Sequence, residues 1–151
     1  MDFSQDDLIE GWPLPALLRG AGAAYGSAIR RALAELGSDD LPPSGPYVIG
    51  AVGQTTVPLG AIIRQLGISK QAAGQLVDTL VVRGYLTRSS DPTDRRRLVI
   101  HLTERGEAAA ALIRSAVEGM EADLRARLGT EPVLAARGVL ASLIHSRLPD
   151  A

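Results

Sequence analysis

The stretch from Val57 to Gly106 constrains the fold of this chain more than any other part of the sequence. Two segments with apolar residues at helical spacing follow one another here, and Gly67 and Ile68 join them. The apolar residues of the first segment are Leu59, Ile62, Ile63 and Leu66. Because a glycine and one further residue form a tight connection, the pattern predicts a helix-turn-helix.

The second helix of this pair has defined ends and two different faces. Ser69 can cap it, because the serine hydroxyl accepts a hydrogen bond from an unpaired backbone N–H, and Gly84 can stop it. Its apolar face consists of Ala73, Leu76, Val77 and Leu80. Its polar face consists of Lys70, Gln71, Gly74, Gln75 and Asp78. A polar face on the second helix of a helix-turn-helix is suited to the major groove of DNA.

A basic hairpin is predicted directly after this helix. Tyr85 to Arg88 reads as a strand, Ser89 to Asp94 is dense in turn-forming residues, and Leu98 to Leu102 reads as the returning strand. Three arginines, 95 to 97, stand between the turn and the returning strand. We therefore expect a β-hairpin with guanidinium groups near its tip.

The hairpin residues match a known pattern. The runs Arg83–Arg88, Asp91–Arg96 and Leu102–Gly106 closely resemble the winged-helix signature of MarR-type transcriptional regulators. The order of helix, helix, wing and long helix extends this resemblance over nearly the whole chain. The wing motif is the specific part, whereas the flanking helices match only in pattern.

This resemblance implies a mostly α-helical fold with a small β-hairpin wing. We expect one MarR-like domain over residues 1–151, with the winged helix-turn-helix as a DNA-binding lobe at 57–106. The helices at 14–37 and 107–148 would flank this lobe and mediate dimerisation.

Composition is consistent with one globular domain. The 151 residues are 46% hydrophobic and 22% charged, and the absence of cysteine excludes disulfides and thiolate metal sites. The N-terminus is acidic where a signal peptide would be basic. The uncharged run from Leu41 to Ile63 contains four prolines, which argues against a membrane span. These features predict a cytoplasmic protein.

Charge is distributed unevenly along the chain. Between Arg64 and Arg105 there are eight basic and four acidic residues, a net charge of +4. Because the whole chain has a net charge of −1, the remainder carries −5. A basic segment on an acidic frame is typical of a compact DNA-binding face, although charged residues can also simply cover a solvated surface.

The terminal helices carry long apolar stripes. One stripe runs from Leu17 to Leu36, a second from Ala109 to Leu128, and a third from Leu134 to Leu148. Such stripes can cover the core of their own domain, or they can pack against a second copy of the chain. In MarR-type regulators the N- and C-terminal helices form a homodimer interface, so the resemblance favours a homodimer.

No catalytic, metal or cofactor site is predicted. The two histidines, His101 and His145, lie in different elements and lack metal-ligand spacing. No serine or carboxylate pair has a catalytic motif around it, and the glycine-rich run near Gly20 follows no strand. We therefore do not expect an enzyme.

The predicted DNA contacts divide by mechanism. Glutamines on the recognition helix can pair with adenine edges, and a lysine at its start can meet a phosphate or a guanine. Wing arginines can enter a narrow minor groove, where Asp94 can orient them. Arg88 and Thr56 are plausible phosphate contacts. The predicted DNA-binding residues are Ser69, Lys70, Gln71, Gly74, Gln75, Arg88, Asp94, Arg95 and Arg96.

The recognition helix departs from the family pattern. Family members commonly have hydroxyl or basic residues where this chain has Ala72, Gly74 and Gln75. A glycine inside a helix costs roughly 1 kcal/mol relative to alanine. It also removes a side chain that could read a base, so either weaker readout or closer approach of the backbone follows.

A ligand site is expected from the same resemblance, because effectors of the family bind in a crevice between the dimerisation helices and the DNA-binding lobe. Tyr25 and Ile29 on the first helix, and Tyr47 and Val48 on the short second helix, can line it. They suit a small aromatic or other hydrophobic acid. The competing interpretation is that they fill the core.

These observations favour a homodimeric DNA-binding repressor that reads a near-palindromic operator and is released by a small molecule. Two alternatives stay open at this point. One is a winged-helix module that binds another protein, and the other is a ligand-binding protein without specific DNA binding.

Overall fold

The computed structural model describes residues 11–38, 40–54, 67–90 and 98–146. Within these ranges the chain forms five α-helices and one two-stranded antiparallel sheet. In chain order the elements are α1 (Leu14–Glu35), α2 (Gly45–Gln54), α3 (Lys70–Val82), β1 (Leu86–Ser90), β2 (Leu98–Leu102), α4 (Glu104–Leu128) and α5 (Thr130–His145). The predicted fold class, mostly α with a hairpin wing, is confirmed. The helix predicted around Leu59 to Leu66 lies outside the described residues.

Local chemistry fixes the ends of α3 as the sequence predicted. The Ser69 hydroxyl accepts a hydrogen bond from the backbone N–H of Ala72 at 3.1 Å, and this satisfies one of the unpaired donors of the first turn. Gly84 follows the helix with a φ of +76°, in the left-handed region that favours glycine. Gly67 before the helix has a φ of +67°, consistent with the predicted tight turn.

The long helix α4 begins at Glu104, three residues before the boundary predicted at 107. Thr103 caps it, because the threonine hydroxyl accepts a hydrogen bond from the N–H of Gly106 at 3.0 Å. Gly106 therefore lies in the first turn and does not precede the helix. It is buried there, and a Cβ on it would lie only 2.1 Å from the carbonyl oxygen of Tyr85.

Other boundaries also differ from the prediction, and β1 begins at Leu86, one residue after the predicted Tyr85. β1 continues through Ser89 and Ser90, which were expected in the turn, because the ladder pairs them with Val99 and Leu98. α1 ends at Glu35, two residues before Gly37, whose φ of +66° turns the chain. Gly129, not Thr130, occupies the cap position of α5.

One hydrophobic core joins all the described elements except α5. It packs side chains of α1, α2 and α3 against the start of the hairpin and the first half of α4. Its buried members are Ile29, Leu33, Val48, Ile49, Val77, Leu80, Tyr85, Leu86, Ala109, Ala110 and Ile113. α4 contacts α1, α2 and β2, whereas α3 packs against β1 and α2.

The last helix, α5, is packed differently. Val133 is its buried residue, and the rest of its apolar stripe is exposed: Leu134, Val139, Leu140, Leu143 and Ile144. The start of α1 likewise leaves Leu14 and Leu18 exposed. None of the described helices is both long enough and apolar enough to cross a lipid bilayer.

Candidate nucleic-acid interface

The outer face of α3 is an open polar surface. Lys70, Gln71, Gly74, Gln75 and Asp78 are all exposed, as the sequence predicted. The inner face of the same helix is held in the core by three buried residues, Ala73, Val77 and Leu80. Because the inner face is anchored, the outer side chains are presented from a fixed helix.

Glycine is not needed at position 74 for packing against the described part of the chain. A Cβ on Gly74 would meet no described atom within 4 Å. Its effect is therefore to leave the backbone of α3 uncovered at the centre of the exposed face.

Arg88, a predicted DNA contact, is paired within the chain. Its guanidinium group forms an ion pair with the carboxylate of Asp78 on α3. About two fifths of the Arg88 side chain is exposed, so a partner can still reach it (38% relative exposure). The pair ties β1 to the recognition helix, a connection that the sequence analysis missed.

The hairpin holds a regular register up to the ends of its described strands. Leu86 pairs with Leu102, and Ser90 pairs with Leu98 at the far end. The Ser89 hydroxyl and the Nε2 atom of His101 lie 3.0 Å apart across the strands. The wing residues Asp94, Arg95 and Arg96 lie between the strands and outside the described residues, as does Thr56.

The base of the hairpin is fixed by a polar contact that sequence reasoning missed. The phenol of Tyr85 donates a hydrogen bond to Oδ1 of Asp40 at 2.5 Å, and Arg105 donates to the same oxygen at 3.1 Å. The Arg105 guanidinium also lies 4.1 Å from the centroid of the Tyr85 ring, a cation–π arrangement. These three residues come from the loop after α1, the start of the hairpin and the first turn of α4.

The pKa values of the two ionisable groups in this contact, the Asp40 carboxyl and the Tyr85 phenol, are shifted in opposite directions. The hydrogen bond from Tyr85 lowers the pKa of the Asp40 carboxyl, and the nearby Arg105 charge lowers it further. Burial raises the pKa of the Tyr85 phenol, and the bond to Asp40 adds to that rise. The contact therefore favours a charged carboxylate beside a neutral phenol.

A cavity of about 350 Å³ lies between α1, the loop after it and the start of α2. Of the four predicted ligand residues, Ile29 and Tyr47 line it, whereas Tyr25 and Val48 do not. The remaining lining residues are Gly26, Arg30, Leu33, Ala34, Ser38, Leu41, Pro42, Pro43 and Pro46. The loop prolines and Arg30 were not predicted, because only the fold brings them beside the helix.

Val48 has a different place in the molecule. It is 1% exposed and belongs to the hydrophobic core, which is the competing interpretation considered for it. Tyr25 is half-buried on α1, one turn before Ile29. Tyr47 is 51% exposed at the cavity, so its ring is available to an occupant.

The capped helix α3, followed directly by the paired strands β1 and β2, has the arrangement of a winged-helix fold. The family model described as "MarR family" matches residues 39–97 of this chain. Over these residues the chain is similar to the MarR family of transcriptional regulators.

Solved structures agree with this fold over nearly the whole chain. The transcriptional repressor CouR, bound to a 23-mer DNA duplex, is 24% identical with a TM-score of 0.67; the match covers 95% of this chain and 99% of CouR. NadR in complex with 4-hydroxyphenylacetate is 21% identical with a TM-score of 0.70, covering 95% and 98%.

Curated relatives are similar over shorter stretches. A putative transcriptional regulatory protein for the hcr operon of Thauera aromatica is 33% identical over 84 residues, which are 56% of this chain and 48% of that protein. The exopolysaccharide II synthesis transcriptional activator ExpG of Rhizobium meliloti is 24% identical over 116 residues, 77% of this chain. The match to ExpG spans 60% of its length.

Proposed function

We propose that this chain is a homodimeric transcriptional regulator that binds double-stranded DNA through α3 and the wing. The observation that carries the proposal is the exposed polar face of α3. The opposite face of this helix is anchored in the core, and Ser69 caps the helix. CouR, which has the same fold, was solved bound to a DNA duplex, and this supports the proposal.

The residues have separate roles in this proposal. Gln71 and Gln75 read base edges in the major groove, because glutamine can pair in a bidentate manner with adenine. Lys70 lies in the first turn of α3 and contacts the backbone or a guanine. Gly74 and Ser69 allow the helix backbone to approach the duplex closely. Arg95 and Arg96 enter the minor groove, and Asp94 orients them.

Arg88 acts partly through Asp78. Because its guanidinium is already paired, it fixes the hairpin on the recognition helix and contacts phosphate with its remaining donors. We propose residues 57–106, which contain α3 and the hairpin, as the DNA-binding lobe.

Dimerisation is proposed to use the terminal helices, within residues 14–37 and 107–148. The exposed stripe of α5 and the exposed leucines at the start of α1 support this assignment, because a lone chain leaves them in water. A two-fold dimer presents two recognition helices, so the operator is a near-palindrome with half-site centres about 34–36 Å apart.

The proposed activity is repression that a small hydrophobic acid relieves. The cavity beside α1 has a volume in the range of small-molecule sites and is lined mainly by apolar residues. Tyr47 and Arg30 also line it and provide polar groups for an acid. NadR, with the same fold, was solved with 4-hydroxyphenylacetate, and CouR is named a repressor. To act, the effector must bind the DNA-free state more tightly than the DNA-bound state.

The proposal is tested with a labelled duplex taken from immediately upstream of the protein's own coding sequence. Binding measured by fluorescence anisotropy must weaken steeply as salt rises, because counterions are released from the phosphates. Lys70→Ala should weaken binding to all duplexes and reduce the salt slope by about 1. Gln71→Ala should cost about 1–3 kcal/mol on the specific duplex only.

Matched variants separate DNA contacts from general effects. Arg96→Ala should weaken binding without lowering thermal stability, whereas Arg114→Ala, which removes an exposed arginine of α4, should leave affinity unchanged. DNA binding that is independent of salt, or equal losses for Arg96→Ala and Arg114→Ala, would refute the proposed interface.

A further inference from the structure

The loop between α1 and α2 touches both the cavity and the hairpin. Ser38, Leu41 and Pro42 of this loop line the cavity, and Ser38 is 1% exposed. Asp40, which lies between Ser38 and Leu41 in the sequence, points to the hairpin and accepts the hydrogen bonds from Tyr85 and Arg105. Successive residues of one short loop therefore contact the two regions in turn.

Ser38 also lies near the Tyr85 phenol, where its side chain opposes the rise in the phenol pKa that burial causes. The Tyr85 side chain is fully buried. A buried hydroxyl that loses its partners pays a desolvation penalty, so the phenol and the loop tend to move together.

Arg105 extends the contact to the end of the recognition helix. Its Nη1 donates to the carbonyl oxygen of Arg83 at 2.5 Å, and Arg83 is the residue that follows the last turn of α3. Tyr85 directly precedes β1. Asp40, Tyr85 and Arg105, here called the cavity–hairpin link, thus meet the loop, the end of α3 and the start of the wing.

We propose that the cavity–hairpin link transmits occupancy of the cavity to the wing and to the end of α3. An occupant that shifts the loop at Ser38 and Leu41 displaces the Asp40 carboxylate. Tyr85 and Arg105 follow it through their hydrogen bonds, of which the Tyr85 bond is short and partly buried. The inference rests on the proposed function, since it assigns the regulation of the same ligand site.

A second route exists and must be separated from the link. α2 also contacts β2, and this packing is apolar: a Cβ on Gly53 would lie 3.3 Å from a methyl group of Leu102. Removing only the polar bonds of the link leaves that packing intact. Tyr85→Phe does this at the hairpin, and Asp40→Ala does it at the loop.

The test measures amide hydrogen exchange of β1 and β2 by mass spectrometry in the full-length protein without DNA. The cavity is occupied in two ways: by millimolar benzoate, and by Ala34→Met, which places a longer side chain into the cavity from α1. We expect each to change hairpin exchange by at least about threefold in the parent protein. In Tyr85→Phe and in Asp40→Ala the same treatments should change it by less than about 1.5-fold.

Arg125→Gln is the matched control. Arg125 is also an ion-paired arginine of α4, but its partner is Glu121, away from the loop and the hairpin. This variant should keep the full response. If Tyr85→Phe fails to fold, Asp40→Ala carries the test, because about two fifths of the Asp40 side chain is exposed in its loop (40% relative exposure).

Two results would overturn the link. One is hairpin exchange that responds to neither benzoate nor Ala34→Met in the parent protein. The other is a response of equal size in the parent, Tyr85→Phe and Asp40→Ala. Since DNA is absent from this experiment, its outcome is independent of whether the salt titration supports DNA binding.

Discussion

The recognition lobe and the last helix use similar apolar patterns in opposite ways. In α3 and the start of the hairpin, Leu80 and Tyr85 are fully buried within the chain. In α5 the corresponding leucines and isoleucine are between 41% and 51% exposed (Leu134, Leu140, Leu143 and Ile144). One chain therefore completes the core of its lobe, but it leaves the face of α5 without a cover among the described residues.

This difference separates the apolar surface of the lobe, which the chain buries itself, from the apolar surface of α5, which is left exposed. A buried leucine contributes to folding of the chain itself, whereas an exposed stripe contributes when something packs on it. We assign that role to a second copy, and matched substitutions in the two regions can separate the two contributions.

The largest effect is expected from Leu80→Ala. Leu80 is 0% exposed, so the variant leaves a cavity in the lobe and should lose about 2–5 kcal/mol of unfolding free energy. Leu140→Ala is the matched change at an exposed position. Measured by urea unfolding at low protein concentration, it should cost less than about 1 kcal/mol. Equal losses would mean that the two regions do not differ as described.

The next effect concerns assembly. Leu140→Asp places a charge in the exposed stripe of α5, and it should weaken dimerisation by about 2–4 kcal/mol, as expected for a central interface residue. Analytical ultracentrifugation should show a dimer for the parent and a monomer for the variant, with unchanged helical circular dichroism.

Val82→Asp is the control for this variant. Val82 is 86% exposed at the end of α3, outside the terminal helices, and its replacement should leave the dimer intact. A dimer that survives Leu140→Asp but dissociates in Val82→Asp would move the interface from α5 to the lobe.

The elements that the sequence predicted best are those with local signals. The capping serine, the apolar face and the stop of α3 all lie in the sixteen residues from Ser69 to Gly84, and the structure places each as expected. β2 also matches at both ends, Leu98 and Leu102, because β-branched residues and alternation mark it.

The contacts that the sequence did not predict join distant residues. Tyr85 and Asp40 are 45 residues apart, and Arg105 and Asp40 are 65 apart. No periodicity connects such positions, since their proximity depends on how α4 crosses α1 and α2. Arg88 and Asp78 are only 10 residues apart, but they lie in different elements, so neither the helical period of α3 nor the alternation of β1 predicts their ion pair.

Gly106 offers a test of how tightly the hairpin base is packed on α4. Because a Cβ there would collide with the Tyr85 carbonyl, Gly106→Ala should destabilise the protein by about 1–3 kcal/mol. Gly119→Ala on the same helix meets no described atom within 4 Å, and it should stabilise the helix by up to about 1 kcal/mol. Thermal unfolding of both variants measures the contrast, and two changes of the same sign would contradict it.

The smallest effect expected is the pH dependence of the contact between Asp40 and Tyr85. The pKa of Asp40 is lowered from its ordinary value of 3.8, chiefly by the bond from Tyr85, so its contribution to stability is present above that pH and is lost as the pH falls. The pKa of Tyr85 is raised above its ordinary value of 10.0, chiefly by burial. The phenol of the unfolded chain therefore ionises at a lower pH than the phenol of the folded chain, and stability falls as the pH rises beyond 10.0.

The Asp40→Asn variant tests the acid side of this window. The asparagine keeps an oxygen acceptor but removes the charge, so the variant should lose at most about 1 kcal/mol near neutral pH, as for a partly exposed ion pair. Because protonation removes the same charge from the parent, the stability difference between the two proteins should narrow as the pH falls below about 4. Urea unfolding across the acid range measures this difference. Asp123→Asn is the control, because it removes one carboxylate from the second half of α4, whereas Arg105 lies in the first turn of that helix. A difference between parent and Asp40→Asn that stays constant from neutral pH into the acid range would show that the Asp40 charge does not hold the base of the hairpin.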